Sequence, residues 1–408
     1  MEIWQKNLYT IWAAQFLAMI GMNLVVPFLP FFVRQLGVEG DDAVAKWSGI
    51  VFAGPFLLSL FFTPFWGAIG DRYGRKLMVV RAIFGLGISQ ALIGISPNVE
   101  FLLFFRMVQG AISGFIPSAL ALVSSTTPKN KTGYAIGLLQ AATAAGTVIG
   151  PLVGGFLADT VGYRVIFLIV AALCFIAGFM VIKNVKEDKV ELNTAYKDIT
   201  LKTNYKYIFK SPNIRFALFI ILLTQIGIVL VQPIFALFIE TFPINQNYVS
   251  TLTGVAYSIM GIFLIFSGPT WGKFCDKKGY RKNMTIATGG AAISFALQGF
   301  ATSLLQIIFL RAMLGIFLGG ILPSLYSYVT KNTQSVRRAG VMGIASSAFI
   351  LANLIGPLSG GIVAAKFGIQ ETFLVSAILL FAASAVIYTL LKEPDISKEK
   401  FEETYLVE

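Results

Sequence analysis

GTVIGPLVGG, residues Gly146 to Gly155, places four glycines and a proline within ten residues of an otherwise apolar run. In a helix each glycine costs roughly 1 kcal/mol relative to alanine and an interior proline about 3 kcal/mol. In water the stretch would read as a loop. In a bilayer a lipid-exposed loop leaves backbone N–H and C=O groups without partners, so there the run must be a helix whose weak points are covered by protein. Gly146, Gly150 and Gly154 recur every four residues and share one helix face, where missing side chains let another backbone come close.

Composition decides between the two solvents. Of 408 residues 56% are hydrophobic and only 13% charged, with a mean hydropathy of +0.76, whereas a soluble domain carries about 25% charged residues. The chain reads as an all-α integral membrane protein. Crossing about 30 Å of hydrocarbon takes about 20 helical residues, which leaves room for twelve transmembrane helices. They are expected near 8–33, 47–70, 77–96, 100–123, 134–157 and 164–183, then near 213–239, 250–272, 283–302, 304–329, 340–364 and 372–391. The opening run continues through two prolines without a small-residue cleavage site and is expected to stay as span 1.

With the N-terminus in the cytoplasm, 25 of the 32 Lys and Arg residues fall on the cytoplasmic side, four (Arg34, Lys46, Arg164, Lys366) on the outer side, and Arg81, Arg106 and Arg311 within spans. This bias predicts that both termini are cytoplasmic. It also accounts for the net charge of +12 through contact with anionic membrane lipids rather than nucleic acid. The expected organisation is a bundle over 1–183, a cytoplasmic linker over 184–212 whose YKYIF end forms a short interfacial helix, a second bundle over 213–391 and a cytoplasmic tail over 392–408.

The chain has no histidine, and its two cysteines, Cys174 and Cys275, lie in different halves. That removes His-based catalysis and most metal sites. A disulfide is not expected, and both cysteines read as small apolar helix residues. A membrane-embedded enzyme needs a cluster of nucleophile, base or metal ligands, and all twenty acidic residues fall in loops, tails or span ends. No metal or cofactor is expected.

The halves repeat each other. A shift of 205 superposes WGAIGDRYGRK from Trp66 on WGKFCDKKGYRK from Trp271, aligning Asp71 with Asp276 and Gly74 with Gly279, and pairs Arg106 with Arg311. One residue more pairs Pro27 with Pro233, GPLVGG from Gly150 with GPLSGG from Gly356, and Phe167 with Phe373. Two homologous six-helix bundles, related by pseudo-symmetry, are the architecture of a carrier that rocks its halves around a site near the midplane.

These motifs give the chain its family. It resembles the twelve-span drug:proton antiporters of the major facilitator superfamily, over essentially its whole length. The matching motifs are PxxP at Pro27 and Pro30, GxxxDRxGRK at Gly67 to Lys76, RMVQGAISG from Arg106, and GxxxGPxxGG at Gly146 to Gly155, with Gly137 nine residues earlier. The first loop, span 2 and DRYGRKLM are most similar to the MdtG-like branch of bacterial multidrug transporters. The resemblance implies the major facilitator fold, a bacterial cytoplasmic-membrane location and export of amphipathic small molecules in exchange for protons, with the proton gradient as energy source. Export of a single metabolite by the same mechanism fits these motifs equally, and a transport-dead receptor of the same fold is a further alternative. A monomer is expected, since the two halves already supply the pair of rocking elements.

The same resemblance assigns roles. The face of Gly146, Gly150 and Gly154, bent by Pro151, is expected to bear against span 8 of the other half as a rolling contact, with Gly137 and Gly155 as further residues of the same motif, although plain small-residue packing would use the same residues. Asp71 is placed to meet the positive N-terminus of span 11, with Arg72 and Arg75 adding charge contacts and Asp276 as the second-half counterpart; a solvated loop that only sets orientation is the other reading. The acidic residue that the family often has near the cytoplasmic end of span 4 is missing from LVSSTTPKN, which puts the usual charge relay of Arg75 in question. Arg106 costs at least about 2.5 kcal/mol inside a span unless a partner receives it; the family role is proton coupling, a structural role against backbone carbonyls is the alternative, and Glu240 and Asp71, then Glu100, are the candidate partners. A substrate cavity is expected to use Gln15, Met19, Asn23, Phe52, Phe56, Gln140, Gln225, Gln232, Tyr257, Tyr326, Phe349 and Asn353. Aromatic, thioether and amide groups without a carboxylate favour neutral, zwitterionic or anionic guests over dications.

Overall fold

A computed structural model describes residues 2–112, 114–187, 201–334 and 337–393; at 68, 71, 72, 129, 201, 202 and 339 it describes the backbone but not the side chain. Among the described residues all regular structure is helical. Spans 1 to 6 are Ile3–Gln35, Asp41–Tyr73, Arg75–Gly94, Val99–Thr126, Thr132–Val161 and Tyr163–Asn184. Spans 7 to 12 are Pro212–Glu240, Gln246–Lys278, Tyr280–Gly299, Leu304–Lys331, Arg338–Phe367 and Ile369–Leu390. Eleven of them are long and apolar enough to cross a membrane. Span 9, expected at 283–302 and found at Tyr280–Gly299, is the more polar one. It begins YRKN and buries Ala287, Ala291 and Ala292 against spans 10 and 12, so less of its surface needs to be apolar. The short helix Leu201–Lys210 stands where the YKYIF segment predicts one; the linker at 188–200 and the tail beyond 393 lie outside the described residues.

Several spans are broken where the sequence denies the backbone a donor. Pro27 sits in a 3-10 turn, Val26–Phe28, inside span 1, and Pro233 in Gln232–Ile234 inside span 7. A proline lacks the N–H that would continue the ladder, so the helix tightens and restarts. Span 4, expected over 100–123, is interrupted at Gly114, immediately before the helix Phe115–Thr126. Gly114 there has φ +115°, a left-handed conformation that side chains with a Cβ resist. Single glycines of the same kind turn one span directly into the next, at Gly74 and Gly279 (φ +104° and +91°) and at Gly162 and Gly368 (φ +81° and +113°).

The repeat seen in the sequence is a repeat of contacts. Trp66 Nε1 donates to the Ala111 carbonyl at 2.7 Å, and Trp271 Nε1 to the Ile316 carbonyl at 2.7 Å. Phe32 meets Phe167 at 5.0 Å between ring centres, and Phe238 meets Phe373 at 4.5 Å. After span 6, Glu187 accepts the Arg75 and Lys76 N–H groups at 2.9 and 2.8 Å; after span 12, Glu393 accepts those of Tyr280 and Arg281 at 2.7 and 2.9 Å. Each carboxylate caps a helix start whose first N–H groups have no intrahelical partner. Asn7 of span 1 exchanges two bonds with the Lys186 backbone, which puts the start of span 1 and the linker on one face, here the linker side.

The glycine face of span 5 is used differently from expectation. A Cβ at Gly146 or Gly150 would strike Met19, Ile20 and Asn23, and one at Gly154 the Leu24 backbone, all in span 1 of the same half. The contact with span 8 is made by the adjoining face. There a Cβ at Gly155 would strike the Ser250 carbonyl, one at Gly254 the Pro151 carbonyl, and Ser258 donates to the Val148 carbonyl at 2.6 Å. Spans 11 and 2 repeat the arrangement: Gly361 faces the Ala45 carbonyl and Gly49 the Pro357 carbonyl. The reason lies in helix geometry, since residues 148, 151 and 155 form a stripe of their own at 3.6 residues per turn.

Candidate functional site

The halves meet at the ends of spans 2, 5, 8 and 11 remote from the linker. At the opposite ends of the same helices, a Cβ at Gly67, Gly133, Gly137, Gly272 or Gly343 would meet nothing within 4 Å among the described residues. Between these ends lies a cavity of about 610 Å³ lined by residues of both halves, among them Asn23, Pro27, Phe52, Gln140, Thr143, Thr147, Pro151, Gln232, Tyr257, Met260 and Leu264. Its wall is apolar with a few amides and hydroxyls, the composition of a small-molecule site. Among the described residues, no Asp or Glu lines it.

Polar contacts close the side remote from the linker. Arg34, at the end of span 1, donates through Nη1 to both oxygens of Glu240 at 2.8 and 2.9 Å and through Nη2 to Asp41 at 3.1 Å. The shift of 206 that aligns Pro27 with Pro233 also aligns Arg34 with Glu240, so equivalent positions of the halves meet across the pseudo-two-fold as cation and anion. Asp159, near the end of span 5, accepts the backbone N–H of Ser250 at 3.2 Å and of Thr251 at 2.7 Å, and the Thr251 hydroxyl at 2.7 Å. A first-half carboxylate therefore caps a second-half helix, at the end where the helix dipole is positive. Tyr163 Oη lies 3.0 Å from Ser250 Oγ beside it.

The sequence matches the Major Facilitator Superfamily over residues 11–297 and 234–406. It is also 33% identical over 382 residues to the multidrug resistance protein MdtG of Escherichia coli (strain K12 / DH10B), covering 93% of each chain. The chain belongs to the major facilitator superfamily. Solved members share its fold: a D-xylose–proton symporter at 15% identity and TM-score 0.78, covering 95% of this chain and 98% of that one, and a bacterial homologue of the human lysosomal transporter Spinster at 14% and 0.79, covering 95% and 97%. The chain is thus a multi-pass membrane transporter of small molecules.

On this facilitator framework the candidate residues separate. Asn23, Phe52, Gln140, Gln232 and Tyr257 line the cavity, with Tyr257 donating to the Gln232 carbonyl at 3.2 Å. Gln15 does not line it: fully buried, it donates to the Leu139 carbonyl at 2.9 Å and Thr143 Oγ1 at 2.7 Å and ties span 1 to span 5. Met19 faces Gly146 through its Cβ and backbone and lines a separate cavity of about 180 Å³, and Asn353 donates to Phe349 of its own helix. Phe56, Gln225, Tyr326 and Phe349 also stand outside the lining. Gly137 touches nothing across its face.

The charged candidates are likewise redistributed. Glu240 holds Arg34 rather than Arg106. Arg106 lies buried with its Nη1 on Gln109 Oε1 at 2.8 Å and its Nε on the Val51 carbonyl at 3.3 Å, neutral partners throughout. Asp276 accepts from Lys331 at 2.7 Å and Tyr280 at 2.8 Å within its own half. Arg75 donates to the Ala121 carbonyl at 2.9 Å, and the nearby acid comes from Glu187 after span 6 instead of from span 4. The Asp71 and Arg72 side chains lie outside the described residues. Asp159, Gly49, Gly254 and Thr143 escaped the sequence reading; Gly254 was accessible as the 205-shifted partner of Gly49.

Proposed function

We propose that this chain is a proton-coupled exporter of amphipathic small molecules that works by alternating access as a monomer in the bacterial cytoplasmic membrane. One observation carries the reading. The cavity between the duplicated halves is sealed on one side by paired glycine–carbonyl contacts and two carboxylate contacts, whereas on the linker side glycines of the same helices face no neighbour within 4 Å. The excess of Lys and Arg on the linker side makes that side cytoplasmic, so this state would load from the cytoplasm.

The outer seal contains an ion pair between the halves. Glu240 is about one third exposed and its charge holds Arg34, so removing that charge loosens the seam. A partly exposed ion pair contributes about 1 kcal/mol, a roughly fivefold bias between two states. Such a latch favours closure without preventing opening. The relative MdtG of Escherichia coli is a multidrug resistance protein, and an apolar cavity of this size with a few amides suits drug-sized guests.

The test is flux in proteoliposomes. With an imposed pH gradient, an amphipathic dye is expected to move against the proton flow, and a protonophore is expected to stop it. Equal dye movement with and without the gradient would remove proton coupling; export of one compound among many unrelated ones would replace multidrug export with a dedicated carrier.

A further inference from the structure

The buried arginines of the two halves stand at equivalent positions and are treated differently. Arg106 has the Gln109 amide and the Val51 carbonyl. The residue corresponding to Gln109 is Leu314, so Arg311 has no amide to receive it. Its guanidinium lies 3.4 Å from the centre of the Phe235 ring and 5.3 Å from that of Tyr257. Nη1 reaches the Met260 sulfur at 3.4 Å, and among the described residues the buried Nε–H has no acceptor. Ring faces attract the charge, but a thioether is a weak acceptor and a guanidinium has five N–H groups to satisfy. At 4% exposure, Arg311 cannot turn to bulk water for the rest.

What stands beside it is the cavity. Tyr257 and Met260 both form its wall, and among the described residues no carboxylate does. A cation without a counter-ion among the described residues therefore sits one side chain behind the surface on which a guest is held, in surroundings where charge acts over distance. Met260 is flexible and can turn aside, which would bring the Arg311 N–H groups to the cavity.

We propose that Arg311 is a specificity-determining residue that selects transported molecules bearing an acidic group, a carboxylate, sulfonate or phosphonate. The acid oxygens accept from the guanidinium between Tyr257 and Met260, and the apolar body lies against Phe52, Pro151 and Leu264. The inference rests on the cavity being the transport site.

Equilibrium binding without any gradient tests it, in purified full-length protein, with naphthalene-2-sulfonate and its neutral sulfonamide as matched probes. The sulfonate is expected to bind about tenfold more tightly, the scale of one charge-assisted bidentate contact. The preference should vanish in Arg311→Gln and persist in Arg311→Lys. Leu314→Gln, which offers Arg311 the amide that Arg106 has, should reduce it, and this variant serves if Arg311→Gln fails to fold. Equal binding of both probes to the wild type, or a preference unchanged in these variants, overturns the role of Arg311 alone. Failure of both probes to bind overturns the cavity reading and this inference with it.

Discussion

At the scale of single residues, the outer seam depends on charges whose effect is small and separable. Glu240→Gln keeps the shape of the side chain and removes the charge that Arg34 grips. The expected result is a shift of roughly fivefold toward the outward-open state, following about 1 kcal/mol for a partly exposed pair, with thermal stability nearly unchanged. Accessibility of an engineered cysteine on the cavity wall measures it, and the exchange Arg34→Glu with Glu240→Arg should restore closure. Asp159→Ala removes a helix cap as well as a contact between halves; a cap contributes about 1 kcal/mol, so the same assay should move in the same direction. An Asp159→Ala protein as closed as the wild type would show that the cap serves only the local helix. Neither acid could be assigned from sequence, because a carboxylate at a span end looks alike whether water, a helix start or an arginine faces it. The amides were ambiguous for a related reason: Gln15 and Gln140 are both polar groups in apolar helices, and only packing reveals that one ties two spans together and the other faces the cavity.

At the scale of elements, the two glycine faces of span 5 make opposite predictions. Gly150→Leu drives a side chain into Ile20 and Asn23 of span 1, inside one bundle. Overpacking of this kind costs about 1–3 kcal/mol, so the expected outcome is lower thermal stability without a preference for either facing state. Gly254→Leu drives its side chain into the Pro151 carbonyl across the seam. The halves can relieve that clash by separating, so the protein should stay folded and be held open on the outer side. If Gly254→Leu instead melts early and Gly150→Leu is arrested, the faces have been assigned the wrong way round. Helix existence and the two-fold repeat were legible in the sequence because hydropathy and motif spacing record them directly. Which face meets which neighbour was not, since lipid, bundle interior and the opposite half all accept small apolar residues. The breaks in spans 1 and 7 follow from Pro27 and Pro233, whereas the break in span 4 depends on the backbone angle of one glycine.

At the scale of the whole molecule, closure at one end and separation at the other must exchange if the halves move as bodies. The seam is built from residues related by the pseudo-two-fold, with Gly49 and Gly254 facing Pro357 and Pro151, so opening breaks two matched contacts together rather than peeling one helix. Spin labels at Gly133 and Gly272 report the linker side, where a side chain meets nothing within 4 Å. A second pair at Gly40 and Asn247 reports the outer loops. Cys174 and Cys275 are both buried, so labelling needs no change to them. Glu240→Gln is expected to lengthen the outer distance and shorten the inner one within the same population, because it leaves Arg34 with Asp41 of its own half while the bundles keep their internal packing. If the outer pair lengthened while the inner pair stayed fixed, the motion would be a local gate. If both stayed fixed under acid and ligand together, the two bundles would form one rigid body and the cavity could not serve both faces of the membrane.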